Sequence, residues 1–207
     1  MGKVRIRIFP QLWWKKAASI GRRNKNNQEA ERMFDKLIGY LVTRAGKEYS
    51  ASYRAVATVL GATLFIAGWP VLVWVLGLGG QGAVFPDMAA VLLSALFFVA
   101  GIPWVAWAVL WQLWKGKGTP VPVVPTKEFL PSGPYRYCRN PMMLGFFLYL
   151  AGWASLFNRV GSWVAAVVLL VLLILEIKLI EEKELEARFG EAYREYKKKT
   201  PFFVPKF

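Results

Sequence analysis

Residues 55–78 read AVATVLGATLFIAGWPVLVWVLGL, 24 positions without a formal charge, and residues 88–114 read MAAVLLSALFFVAGIPWVAWAVLWQLW, another 27. About 20 apolar residues cross a hydrocarbon core as a helix, so each stretch predicts a transmembrane span. Two shorter runs follow, Met142 to Phe157 and Val160 to Ile177, with only Asn158-Arg159 between them, which predicts a tight helical hairpin. At ~1.5 Å per residue the first arm reaches about 24 Å, short of a ~30 Å core, so it is expected to start below the interface or to be shielded by neighbours. The expected fold is an all-α integral membrane protein of four spans.

Charge lies outside these runs. The 207 residues are 56% hydrophobic yet hold 27 Lys+Arg against 13 Asp+Glu, a net charge of +14, and mean hydropathy is +0.34. Residues 1–54 carry 13 basic and 4 acidic groups, and Arg159 is the single basic residue between the two spans of the hairpin. The positive-inside rule therefore predicts a multi-pass protein with both termini and the 115–141 loop in the cytoplasm. Residues 1–54 form a basic interfacial segment ahead of a membrane domain over 55–207, and the first span is expected to stay as a signal anchor. Within that segment Met33, Phe34, Leu37, Ile38, Leu41 and Val42 recur at helical spacing, as in an amphipathic helix lying on a membrane, and Trp13-Trp14 beside Lys15-Lys16 read as an interfacial anchor. Anionic lipid accounts for this basic segment without nucleic acid as a partner.

The inventory narrows the chemistry. With no His and one cysteine, Cys138, the chain excludes Ser-His-Asp catalysis, His-based or four-cysteine metal sites and an intramolecular disulfide, so no metal is expected. Gly77-Leu-Gly-Gly-Gln-Gly82 matches a dinucleotide-binding pattern letter for letter, but it joins two spans where that pattern needs a strand before it and a helix after it; it reads as a flexible loop. Prolines at 120, 122, 125, 131 and 134 favour an extended path into Gly133-Pro134-Tyr135-Arg136-Tyr137-Cys138-Arg139-Asn140-Pro141-Met142. Asn140 suits an N-cap and Pro141 a first helical position, which aims Arg139 and free backbone N–H groups at one point, as an anion requires. Past the fourth span, a cytoplasmic helix places Ile177, Glu181, Leu185, Phe189 and Tyr196 on one stripe. Glu181 is thereby expected inward and in need of a partner, with Glu182, Glu184 and Glu186 on the solvated side.

Three spaced blocks, Gly133-x-Tyr135-x-x-x-Arg139-x-Pro141, Glu181-Glu182, and Phe189-Gly190-x-x-Tyr193-x-x-Tyr196 followed by Pro201 and Pro205, resemble the signature of membrane-embedded methyltransferases. That group includes isoprenylcysteine carboxyl methyltransferase and phosphatidylethanolamine N-methyltransferase. The resemblance covers about Lys127 to Pro205 and implies a site for S-adenosylmethionine built from 127–145 and 177–205, with S-adenosylhomocysteine as product. Carried over by position, it implies cofactor contacts from Lys127, Glu128, Phe129, Leu130, Tyr135, Arg139, Asn140, Pro141, Met142, Met143 and Glu181, and catalytic roles for Arg139, Glu181 and Glu182. The residue types agree: a sulfonium and an ammonium favour carboxylates and aromatic faces, and a carboxylate favours Arg or helix N–H groups.

Compared with the carboxyl methyltransferases, Asn140 replaces a His, Met143 a Tyr, and Ile177 a substrate-binding Arg four residues before the Glu; Lys178 is the nearest cation. This favours a phospholipid headgroup amine as acceptor, with Glu182, a Tyr or water taking its proton. A prenylcysteine-type carboxylate or another small lipophilic nucleophile is the alternative acceptor, and a non-catalytic scaffold or carrier with the same fold is the alternative of another class. Membrane lipids are the expected environment.

Overall fold

The computed structural model describes residues 25–45, 47–80, 82–116 and 128–206, so Trp13, Trp14, the prolines at 120–125 and Lys127 lie outside the described residues. The chain divides into two compact units, Met1–Leu37 and Ile38–Phe207. All regular structure among the described residues is helical: α1 Lys25–Ala45, α2 Ser52–Gly77, α3 Asp87–Lys115, α4 Pro141–Phe157, α5 Val160–Phe189 and α6 Glu191–Lys199. In α1 the expected helical face exists, and Met33 and Leu37 on it are exposed.

Three helices, α2, α3 and α5, are long and apolar enough to cross a membrane; α4, at 17 residues, is the short arm. Large apolar side chains point outward along all three, Val59, Leu92, Val99 and Leu172 among them, an arrangement that water would penalise and lipid accepts. Helix α2 starts slightly earlier than its apolar run, because the Ser50 hydroxyl accepts from Tyr53 N–H and caps it. Helix α5 continues well past Ile177 to Phe189, so the fourth apolar run and much of the expected cytoplasmic helix form one rod. The rod ends at Gly190, whose φ of 58° turns the chain back into α6.

Two π-helical turns interrupt the long helices, and each has a consequence. The first, Leu64–Gly68, precedes Pro70. Proline has no N–H to offer the carbonyl four residues back, Ile66, and the Tyr149 hydroxyl on α4 donates to that oxygen instead at 2.7 Å. The second turn, Ile177–Glu181, sits at the site end of α5.

The core is the meeting of α2, α4 and α5, built on Val73, Phe146, Leu150, Ala154, Ala166 and Leu169. Helices α3 and α4 pack backbone to backbone: a Cβ on Gly145 would lie 2.5 Å from Val105 N, so only glycine permits the approach. At the opposite end from the site, Asn158 takes a left-handed conformation (φ 50°), accepts from the N–H groups of Val84 and Phe85, and donates to the Phe85 carbonyl. Two glycines of the 77–82 loop serve packing, while Gly79 and Gly82 have open space around them. Gly77 and Gly80 lie flat against Gly161 and Ser162, where a Cβ would collide with backbone, so their role is close packing of α2 on α5.

Candidate functional site

The site forms where the 3₁₀ turn Gly133–Arg136, the start of α4, the π turn of α5, α6 and the C-terminal segment converge. Backbone bonds fasten the C-terminal segment across the α4 start: Arg139 N–H donates to Pro201 O at 2.9 Å and Lys206 N–H to Tyr137 O at 2.9 Å. The Tyr196 hydroxyl donates to Tyr135 O at 2.6 Å. The blocks quoted from the sequence, separated by some forty residues, are thus one assembly.

Asn140 occupies the N-cap position of α4, its carbonyl accepting from Leu144 N–H at 3.0 Å, but its side chain does not cap the helix. Its side-chain N–H donates to Phe202 O at 3.0 Å, because the returning C-terminal segment presents a carbonyl that competes for it, and the first turn of α4 has no side-chain cap. Pro141 does occupy the first helical position and is fully buried, while Met143 packs against the core and Met142 is half-buried. Phe129 stands among Phe189, Tyr193 and Tyr196, ring centroids 5.3–6.1 Å apart, and ties the incoming loop to α5 and α6. Leu130 beside it is half-buried and Glu128 exposed.

The two glutamates exchange the places expected from an unbroken helix. In the π turn Glu182 N–H reaches back five residues to Ile177 O. A turn that holds one extra residue rotates everything after it, so Glu182, not Glu181, follows buried Ile177 onto the inner face. Glu182 is 6% exposed. One oxygen accepts from Arg139 Nη1 at 2.5 Å and the other pairs with Lys197 Nζ at 2.6 Å, so neither is free. Lys197 also reaches Glu186 at 3.1 Å, binding α6 back onto α5.

Glu181 is exposed as a residue and makes no ion pair among the described residues, and its carboxylate lies near enough to Tyr135 and Tyr193 to disfavour their ionisation. The phenols of Tyr135, Tyr193 and Tyr196 are held above the ordinary tyrosine value, chiefly by burial, and stay neutral donors and aromatic surfaces. Tyr135 hydroxyl donates to Gln112 of α3 at 3.3 Å. Tyr137 belongs instead to a packed group with Trp104 and Trp107. Burial pushes the Cys138 thiol up to about 11, so it is a neutral packed side chain.

An S-adenosylmethionine molecule has cationic and anionic ends, and the residues fit both. The Glu181 carboxylate beside phenol rings suits the sulfonium and ammonium. Arg139 Nε is buried with no hydrogen-bond partner, a donor that a ligand carboxylate would satisfy. Among the described residues no group of three or more His, Cys, Asp or Glu could hold a metal. Sequence reasoning missed Lys197 and Phe202. Lys197 stands in a run of three lysines that reads as solvated, and Phe202 in a short terminal segment with no periodicity.

An all-helical bundle with membrane-length apolar helices and a polar site at one end is the class that fold and site define. A phospholipid methyltransferase family model matches residues 89–192, from α3 into α6, and the chain belongs to that family. It is similar to methanethiol S-methyltransferase of Crocosphaera subtropica, 35% identical over 71 residues, 34% of this chain. It is also similar to methanethiol S-methyltransferase 2 of Bradyrhizobium diazoefficiens, 33% identical over 72 residues, 35% of this chain. In each case the match spans 27% of the relative's length.

Proposed function

We propose that the protein transfers a methyl group from S-adenosylmethionine to the headgroup amine of a phospholipid in the cytoplasmic leaflet. The observation that carries this reading is the meeting of the Glu181 carboxylate and Arg139, whose Nε has no hydrogen-bond partner, around the phenols of Tyr135 and Tyr193. When bound, S-adenosylmethionine supplies an electrophilic methyl on a sulfonium, displaced in line by a lone pair. Glu181 and the neighbouring phenols hold the cationic portion, and Arg139 donates to the carboxylate. Glu182, expected from the sequence as a proton acceptor, instead fixes the guanidinium of Arg139 from behind, since both its oxygens are engaged. The acceptor's proton leaves to water at the membrane surface, and the chain contributes alignment and partial exclusion of water.

This reading includes four spans, α2, α3, α4 and α5, both termini in the cytoplasm, and residues 1–54 as an interfacial segment before the membrane domain of 55–207. The charge asymmetry of the sequence supports it. A second reading, S-methylation of a small lipophilic thiol, is favoured by the names of the two relatives. Purified protein with labelled S-adenosylmethionine, offered phosphatidylethanolamine or dodecanethiol, separates the two. Label in the phospholipid supports the first reading, and label only in the thioether replaces it with the second.

A further inference from the structure

Among the described residues, two cations beside the donor site have no carboxylate: Arg136, which lies over the Tyr137 ring, and Lys178. Arg139 and Lys197 are neutralised by Glu182, and Arg188 pairs with Glu184. Lys178, on the π turn of α5, makes no ion pair among the described residues, although acidic residues crowd the same helix. Its ammonium lies over the ring of Phe202, 4.9 Å from the centroid. The Arg139 guanidinium lies over that ring too, at 5.5 Å, which sets the two cations within about 10 Å of each other. The bond from Asn140 to the Phe202 carbonyl holds the backbone that carries this ring. Lys178 is exposed and is the first residue after the apolar run that ends at Ile177, where a long cationic side chain can reach up to phospholipid phosphates.

We infer that Lys178, steadied on Phe202, is the seat for the phosphodiester of the acceptor lipid and determines acceptor specificity. The inference rests on the lipid-amine reading above. A cation beside the donor site, within reach of lipid phosphates, would hold the headgroup by its anionic part and leave the attached amine free to turn towards the methyl group. An uncharged thiol gains nothing from it. The π turn matters again: it sets the direction of the residues around it, and Lys178 is drawn over Phe202 alongside Arg139.

The test is binding by the purified full chain of dihexanoylphosphatidylethanolamine, dihexanoylglycerol and inorganic phosphate, with S-adenosylmethionine affinity measured in parallel. Wild type should bind the phospholipid at least tenfold more tightly than the diglyceride. Lys178→Ala should abolish that ratio and Lys178→Arg keep it, both with unchanged S-adenosylmethionine affinity, and Phe202→Leu should lower the ratio. An unchanged ratio in Lys178→Ala overturns the inference. So does weakened S-adenosylmethionine binding, which would assign Lys178 to the cofactor carboxylate, and so does inorganic phosphate binding as tightly as the phospholipid. Phospholipid bound through Lys178 but never methylated by wild type would refute the amine reading and leave the seat standing; methylation with an unchanged ratio would do the reverse.

Discussion

Replacing Glu182 by Gln tests the register that the second π turn imposes. The side chain is 8% exposed and the Arg139 side chain 12%, so the substitution strands a guanidinium in a nearly closed site. Breaking a buried pair by removing one partner costs about 3 kcal/mol. Lys197, more than a third exposed, regains water and adds little. For a chain of this length each kcal/mol lowers the midpoint by about 2–4 °C, so the loss should be about 6–12 °C. The assay is thermal unfolding in detergent followed with a thiol-reactive dye, for which buried Cys138 is a built-in reporter. Glu181→Gln, a change at an exposed residue, should stay within about 0.5 kcal/mol of wild type while losing S-adenosylmethionine affinity. Replacing both Glu182 and Arg139 by apolar residues should restore roughly half the stability or more, because no charge is then left unpaired at that contact. A Glu182→Gln protein as stable as wild type, with Glu181→Gln the unstable one, would refute the exchanged positions.

Three further outcomes follow from the geometry. Tyr149→Phe removes the donor to Ile66 O and should cost about 0.6–1.7 kcal/mol in the same unfolding assay, whereas no loss would mean that another group serves the carbonyl freed by Pro70. With its thiol pushed up to about 11, Cys138 is ionised in about one molecule in a thousand at pH 8, so iodoacetamide should leave it unmodified until the protein unfolds; rapid labelling of folded protein would contradict its burial. Single cysteines at Arg159 and Lys206, in a Cys138→Ser background, should be labelled by an impermeant maleimide from outside and from inside respectively, and the reverse pattern would invert the proposed topology.

The long helices were legible because an apolar run of membrane length has few other destinations, and the joining of three distant blocks was implied by their resemblance to the signature of membrane-embedded methyltransferases. The roles of Glu181 and Glu182 were not. A stripe drawn at 3.6 residues per turn assumes an unbroken helix, and a π turn leaves no mark in the pattern of apolar residues. Asn140 carries good capping chemistry, and its side chain fails to cap only because a carbonyl 62 residues away claims it. Gly77 and Gly80 read as slack in the sequence since glycine also marks loops, while here their missing Cβ atoms admit Gly161 and Ser162. Pro70 is the contrary case: its position inside an apolar run already implies an orphaned carbonyl at Ile66, though not that Tyr149 would serve it.

The most direct measurement is the fate of a deuterated methyl group. Membranes containing the protein, supplied with S-adenosylmethionine carrying a trideuterated methyl, should yield phosphatidylethanolamine labelled on its nitrogen, and the label should vanish in Glu181→Gln. Label confined to thioethers or to carboxyl esters, or phospholipid labelling that survives Glu181→Gln, would contradict the account.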